Sequence, residues 1–200
     1  MFRTAEVANV INKKDIKSLL DVGCRDCVLQ KYLSPGINYF GNDLFQNKDN
    51  NVNYVGDINI LKIDKKFDCV TAIDILEHTD DPYKIFDNLV ALTNKILIIN
   101  LPNCYGLKSV YKFSVKGQLG EKYDFGVENR LDRHRWLMNC KQICDFYYHK
   151  AKEHNLKLAL LPIKYGGDKF SITSLIGNIS RYLLPERLNT ESVVGIFEKE

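Results

Sequence analysis

The strongest constraint on the fold comes from two stretches, "FDCVTAI" at 67–73 and "KILIINL" at 95–101, whose apolar residues follow one another instead of alternating with polar ones. A strand with one wet face alternates with a period of two, so a run without alternation belongs to a strand covered on both faces. A parallel sheet sandwiched between helices meets that condition. Further strand-length runs occur at Lys17–Val22, Asn38–Leu44 and Asn53–Gly56, with helix-length material between several of them. The succession predicts an α/β fold on a mostly parallel sheet.

The clearest helix signal is "DDPYKIFDNLVAL", where Asp81 can cap, Pro82 suits the first helical position, and Tyr83, Phe86, Leu89 and Val90 fall on one face. A second helix is predicted over Asn139–Asn155 with Ile143, Phe146, Tyr147 and Ala151 inward, and shorter ones over Thr4–Ile11 and Asp26–Leu33. Beyond Asn155, "LKLALLPI" and "ESVVGIFEK" read as a hairpin-like strand pair at the sheet edge, separated by a stretch holding Gly166, Gly167 and Pro185. Pro102–Arg135 is the one long segment without clear periodicity, and such segments in compact domains are usually functional or mobile.

At 200 residues and 45% hydrophobic content the chain can bury one core without staples, so its six cysteines need not pair. The longest aliphatic run, Ile96–Ile99, is far too short for a membrane span, and the N-terminus lacks the apolar stretch of a secretion signal. A cytoplasmic protein of one domain, residues 1–200, is expected, with no membrane partner. The net charge of +3 decides little, but 104–136 carries seven Lys or Arg against four Asp or Glu.

Ligands of open parallel sheets sit outside the carboxyl ends of the strands. Each of the first four strands presents a carboxylate there: Asp21 before Gly23, Asp43 in "YFGNDL", Asp57 in "YVGDI" and Asp74 in "VTAIDILEH". Asp43 lies 22 residues after Asp21, the spacing at which a second strand end can accept the hydroxyls of a ribose. Asp57 is placed to accept from an exocyclic amine such as adenine N6. Cys24 and Cys27 also spell Cys-x-x-Cys, but a redox dithiol needs an exposed low-pKa thiol, and zinc needs two more ligands. Cys140 and Cys144, the other pair, have a spacing that suits one helix face.

"LLDVGCRDCVLQKYL", "YFGNDLF", "YVGDI", "FDCVTAIDILEHTDDPYKIFDNL" and "KILIINLPN", in this order, resemble the successive motifs of class I S-adenosylmethionine-dependent methyltransferases. The resemblance implies a Rossmann-like sheet of seven strands, the last antiparallel, with helices on both faces. It also implies S-adenosylmethionine as cosubstrate. By the same resemblance Asp21, Gly23 and Cys24 lie against the methionine part, Asp43 binds the ribose and Leu44 packs on the adenine. Asp57 and Ile58 recognise the adenine edge, and Asp74 with Ile75 forms the floor beneath the sulfonium. Arg25 and Cys27 stand where the family shows glycines, a loss less damaging here than in a dinucleotide enzyme, because this cosubstrate has no phosphate.

For the transfer step the candidates are His134, His78 and Glu77, since an oxygen acceptor benefits from a histidine of near-neutral pKa. His149 and His154 read as ordinary positions of an amphipathic helix. Clusters like "DILEH" with a later histidine occur in small-RNA and ubiquinone-pathway O-methyltransferases, where they can hold a divalent metal. The expectation here is that Glu77 and His78 shape the pocket without one. Residues 102–136 are expected to cap the acceptor, a small or carbohydrate-like molecule ahead of RNA. The competing expectation is a non-catalytic module that binds cofactor without turnover.

Overall fold

The computed structural model describes residues 2–120, 122–128, 132–165 and 185–199. Helix α1 (Phe2–Ile11) precedes β1 (Ser18–Val22), β2 (Asn38–Asp43), β3 (Tyr54–Val55) and β4 (Phe67–Ile73). Then come α2 (Pro82–Leu92), β5 (Thr93–Pro102), α3 (Leu107–Lys116), α4 (Cys140–Glu153), β6 (Lys157–Lys164) and β7 (Thr190–Glu198). The seven strands form one sheet in the order β3-β2-β1-β4-β5-β7-β6. The first five run parallel, and β7 lies antiparallel between β5 and β6. This is the Rossmann-like arrangement expected, with one refinement: of the final strand pair β6 forms the edge, while β7 is an inner strand buried from Ser192 to Phe197.

Successive residues of each central strand feed opposite cores, which is why their runs do not alternate. Leu20, Val70, Leu97 and Ile99 pack under α2 and α4, together with Phe86, Leu89 and Tyr147. Leu19, Cys69, Ile96 and Ile98 pack under α1 with Val7, Ala8 and Ile11. The predicted cap forms, with Asp81 accepting from the Lys84 amide at 2.9 Å ahead of Pro82, and the structure adds a reciprocal capping box between Asn139 and Gln142.

Three expectations are corrected. Tyr83, assigned to the inner face of α2, is 54% exposed. The helix expected over Asp26–Leu33 is a 3-10 turn over Val28–Tyr32, because Arg25 (φ 48) and Cys27 (φ 52) are left-handed and cannot begin an α-helix. Within Pro102–Arg135 the chain does form a helix, α3, none of whose side chains is buried. Gly166 and Gly167 lie outside the described residues.

Candidate active site

The strand order reverses between β1 and β4, and the crevice at such a reversal is where ligands bind in open α/β sheets. The loop leaving β1 is shaped for close approach. Gly23 has φ +74, and a Cβ there would stand 1.9 Å from Ile75 Cδ1, so the loop after β1 and the turn after β4 touch only because this residue is glycine. The amides of Gly23 and Cys24 donate to the Asn42 carbonyl at 2.8 and 3.0 Å, and the Arg25 amide donates to Asp43 Oδ2 at 2.8 Å. The loop thus holds its curve with left-handed Arg25 and Cys27 in place of glycines, at a cost of about 1–2 kcal/mol each.

Asp43 Oδ1 receives only a long contact from the Phe45 amide (3.4 Å), which leaves acceptor capacity facing outward beside the exposed Leu44. Asp57 Oδ1 accepts from the Asn59 amide at 2.8 Å, and the Ile58 side chain belongs to the core, so only the backbone of Ile58 can face a ligand. Asn42, which the motif reading passed over, donates to the carbonyls of Tyr54 and Gly56 at 2.7 and 3.0 Å and so fixes the loop that presents Asp57.

Beyond β4 the turn Leu76–His78 turns Glu77 inward, completely buried, with neither carboxylate oxygen bonded. Burial, then the charge of Asp74, pushes its pKa well above the ordinary carboxylate value. The amides of Arg135 and Trp136 donate to the Glu77 carbonyl, bringing His134 back to the same place. The His78 and His134 rings meet edge to face at 4.6 Å, and His78 Nε2 lies 3.9 Å from Glu77 Oε1. His78 Nδ1 is 3.1 Å from the Arg133 carbonyl; since a carbonyl only accepts, Nδ1 carries the hydrogen and Nε2 turns a lone pair toward Glu77. Burial lowers the pKa of His78, and burial together with His78 lowers that of His134 to about 4, so both rings are neutral at pH 7. Tyr123, one of the aromatics of the 102–136 segment, closes the far side of His134 at 4.6 Å. Asp74, grouped with these residues by spacing, turns away to Arg3 (2.6 Å) and Asn100 (2.6 Å).

Residues 4–156 match a family model described as a methyltransferase domain. The chain belongs to the class I S-adenosylmethionine-dependent methyltransferases. No curated protein sequence matches this methyltransferase significantly. Its fold is similar to the methyltransferase domain of a bacterial Hen1, CtHen1 (TM-score 0.64, 17% identity, 98% of this chain and 97% of that one). The small RNA methyltransferase HEN1 is similar as well (0.68, 18%), with the whole of this chain matching 25% of that protein. So is the plantazolicin methyltransferase BpumL, solved with S-adenosylhomocysteine (0.62, 16%, 100% and 84%). None of the methyltransferase's described helices is long and apolar enough to cross a membrane.

Two residues of its glycine loop are committed to packing. Cys24 and Cys27 are buried with their sulfurs 3.7 Å apart, and Cys24 Sγ fills the space over Gly41, where a Cβ would meet it at 2.7 Å. Burial drives the Cys24 thiol upward, the opposite of a reactive dithiol. Asp21 is also inward, accepting from Tyr39 Oη and Thr71 Oγ1 at 2.8 Å each.

Burial raises the Asp21 pKa from 3.8 to about 6 against those two hydrogen bonds. A raised carboxyl pKa means that the folded state holds the proton more tightly. The stabilisation is therefore full below the unfolded value and is lost as pH rises through the folded one. Between pH 3 and pH 7.5 the methyltransferase should lose about 3 kcal/mol relative to Asp21→Asn, which cannot titrate. Urea unfolding of both proteins at the two pH values measures this, and a pH-independent difference would contradict it.

Proposed function

We propose that the chain moves the methyl group of S-adenosylmethionine to a hydroxyl oxygen of a small or carbohydrate-like acceptor held at Glu77, His78 and His134. The observation that carries this reading is Glu77, a fully buried carboxylate without a partner beside two neutral imidazoles. Such a group is costly in a fold unless something supplied from outside completes it.

The crevice suits the cosubstrate chemically. Its rim of carboxylates matches a cationic sulfonium and a ribose, and Gly23 leaves room for close backbone contact. Bound S-adenosylmethionine supplies an electrophilic methyl on a good leaving group, so the protein's share is positioning, exclusion of water and removal of the hydroxyl proton. In the ion-free site His78 Nε2, whose lone pair faces Glu77, is placed to receive that proton; a bound cation would take that lone pair, and the proton would then leave to solvent. Asp43 holds the ribose, Asp57 with the backbone of Ile58 the adenine edge, and Leu44 the adenine face. Gly23 and Cys24 lie along the methionine portion, and Asp21 supports that loop from within.

Glu77, His78 and His134 also fit a divalent cation, since their ligand atoms all lie within 4.8 Å of one another. Held by these three, the ion would add charge that lowers the pKa of the acceptor hydroxyl. The orphaned Glu77 favours this over a metal-free pocket.

Residues 102–136 serve as the acceptor cap. Tyr105, Tyr111, Phe113 and Phe125 are exposed there, and Lys108, Lys112 and Lys116 form one stripe of α3. That combination supports a second reading in which the hydroxyl is a ribose of RNA, because aromatics among cations stack bases and hold phosphates.

The test is transfer of labelled methyl from S-adenosylmethionine to a panel of sugars, short RNAs and amine acceptors, with and without manganese. A methyl ether formed on a hydroxyl, lost on chelation, is the expected product. A methylated nitrogen or carbon formed at full rate in chelator would overturn the proposal.

A further inference from the structure

Arg25 holds a left-handed backbone, φ 48, in which glycine would sit free of strain. Both of its peptide groups are pinned: its amide donates to Asp43 Oδ2 at 2.8 Å, and its carbonyl accepts from Asn47 Nδ2 at 2.8 Å. Strain of this kind persists where the surroundings over-determine it, and it clusters at functional sites. The backbone gains nothing from arginine here, so what the residue adds is reach. Its Nη2 lies 3.4 Å from Oδ2 of Asp132, in the segment that carries His134. Asp132 is in turn shared among three parts of the molecule. While its Oδ2 faces Arg25 on the loop after β1, its Oδ1 accepts from Lys122 Nζ at 2.7 Å and lies 3.7 Å from His78 Nδ1, on the turn after β4. One carboxylate therefore meets both lips of the crevice where the strand order reverses, and ties them to the 102–136 segment.

We infer that Arg25 is a positioning residue that couples the cosubstrate loop to the acceptor cap through its ion pair with Asp132, so that a filled ribose site at Asp43 sets the cap against His78. An exposed ion pair contributes little by itself, because water screens it and both side chains must be ordered. This pair is 71% and 49% open to water, but the root of the arginine is already held. Ribose hydroxyls on Asp43 fix that carboxylate, the carboxylate fixes the Arg25 amide, and the guanidinium then meets Asp132 at a smaller ordering cost. The coupling is reciprocal, so whatever settles the cap also tightens the cosubstrate. Cosubstrate first and acceptor second is the order of binding that results. Water limits the size of the effect to about two- to fivefold, and salt shrinks it further. The inference rests on the ribose placement and the cap proposed above.

Amide hydrogen exchange over 132–136 in the full chain, with and without saturating S-adenosylhomocysteine, tests it. The His134 and Arg135 amides there bond to the carbonyls of Lys122 and Glu77, so their exchange reports how firmly the cap is seated. In the parent the ligand should slow this exchange about two- to fivefold, and salt at about 0.5 M should remove most of the slowing. Arg25→Gln and Asp132→Asn should each still bind the ligand, followed by calorimetry, and lose the slowing. The double variant should lose no more than either alone, and Arg25→Lys should keep part of the effect. Arg25→Gly separates coupling from backbone strain: it should melt no lower than Arg25→Gln and still lose the slowing. Slowing that survives in Arg25→Gln or Arg25→Gly overturns the inference while leaving the cosubstrate placement standing. A parent that binds no S-adenosylhomocysteine overturns both.

Discussion

Replacing Glu77 by glutamine is expected to cut hydroxyl methylation at least about a hundredfold while making the ligand-free protein more stable. The two effects share one cause. Glu77 is completely buried, neither of its oxygens has a partner, and burial and Asp74 both disfavour its charge. An amide of the same shape removes the unmet charge, so unfolding in urea should require about 1–3 kcal/mol more in the variant. The same change removes the carboxylate that faces His78 Nε2 and completes the three-residue cluster. Manganese should raise the unfolding temperature of the parent and leave that of Glu77→Gln unchanged. A variant that is less stable and still turns over would assign Glu77 to the core alone.

Gly23→Ala should have the largest effect on the cosubstrate. The added methyl carbon would stand 1.9 Å from Ile75 Cδ1 and 2.6 Å from Cγ1, at a φ of +74 that L side chains rarely adopt. The backbone contribution is about 1–2 kcal/mol and the overlap adds about 1–3 kcal/mol, partly relieved if Ile75 changes rotamer. Relief by either route moves the loop or the turn beside Asp74, so affinity for S-adenosylhomocysteine should fall by more than about thirtyfold. Stability and affinity should thus drop together. Affinity within about twofold of the parent, measured calorimetrically, would show that the loop does not approach the ligand.

The sheet was legible because its strands are covered on both faces. "FDCVTAI" predicts β4 to the residue, and "KILIINL" falls within β5, since no polar-out residue is required in either. The place of Asp43 at the end of β2 was legible from the strand pattern, because the distance from one strand end to the next is set by the length of the crossover between them. The misread 26–33 segment turns on two left-handed residues that are neither glycine nor asparagine, for which composition carries no signal. Helix α3 escaped because it buries no side chain, so no core pressure shaped its periodicity. The Asn100 signal was present and unused, as a polar residue near the end of an aliphatic run that is fully buried and holds Asp74. Arg3 could not be found by any local pattern, since its partner is 71 positions away and only the closed sheet brings the two together.

The proposed placement of the cosubstrate, in the crevice between β1 and β4 against the carboxylates at the strand ends, is open to one decisive measurement. Titration of the full chain with S-adenosylhomocysteine, followed by calorimetry, tests it most directly, with Asp43→Ala alongside. Binding in the micromolar range is predicted for the parent, about −8 kcal/mol. Loss of the charged acceptor for the ribose should weaken Asp43→Ala by about 1.5–3 kcal/mol, roughly ten- to a hundredfold. No heat of binding by the parent at millimolar ligand, or equal affinity of parent and variant, would contradict it.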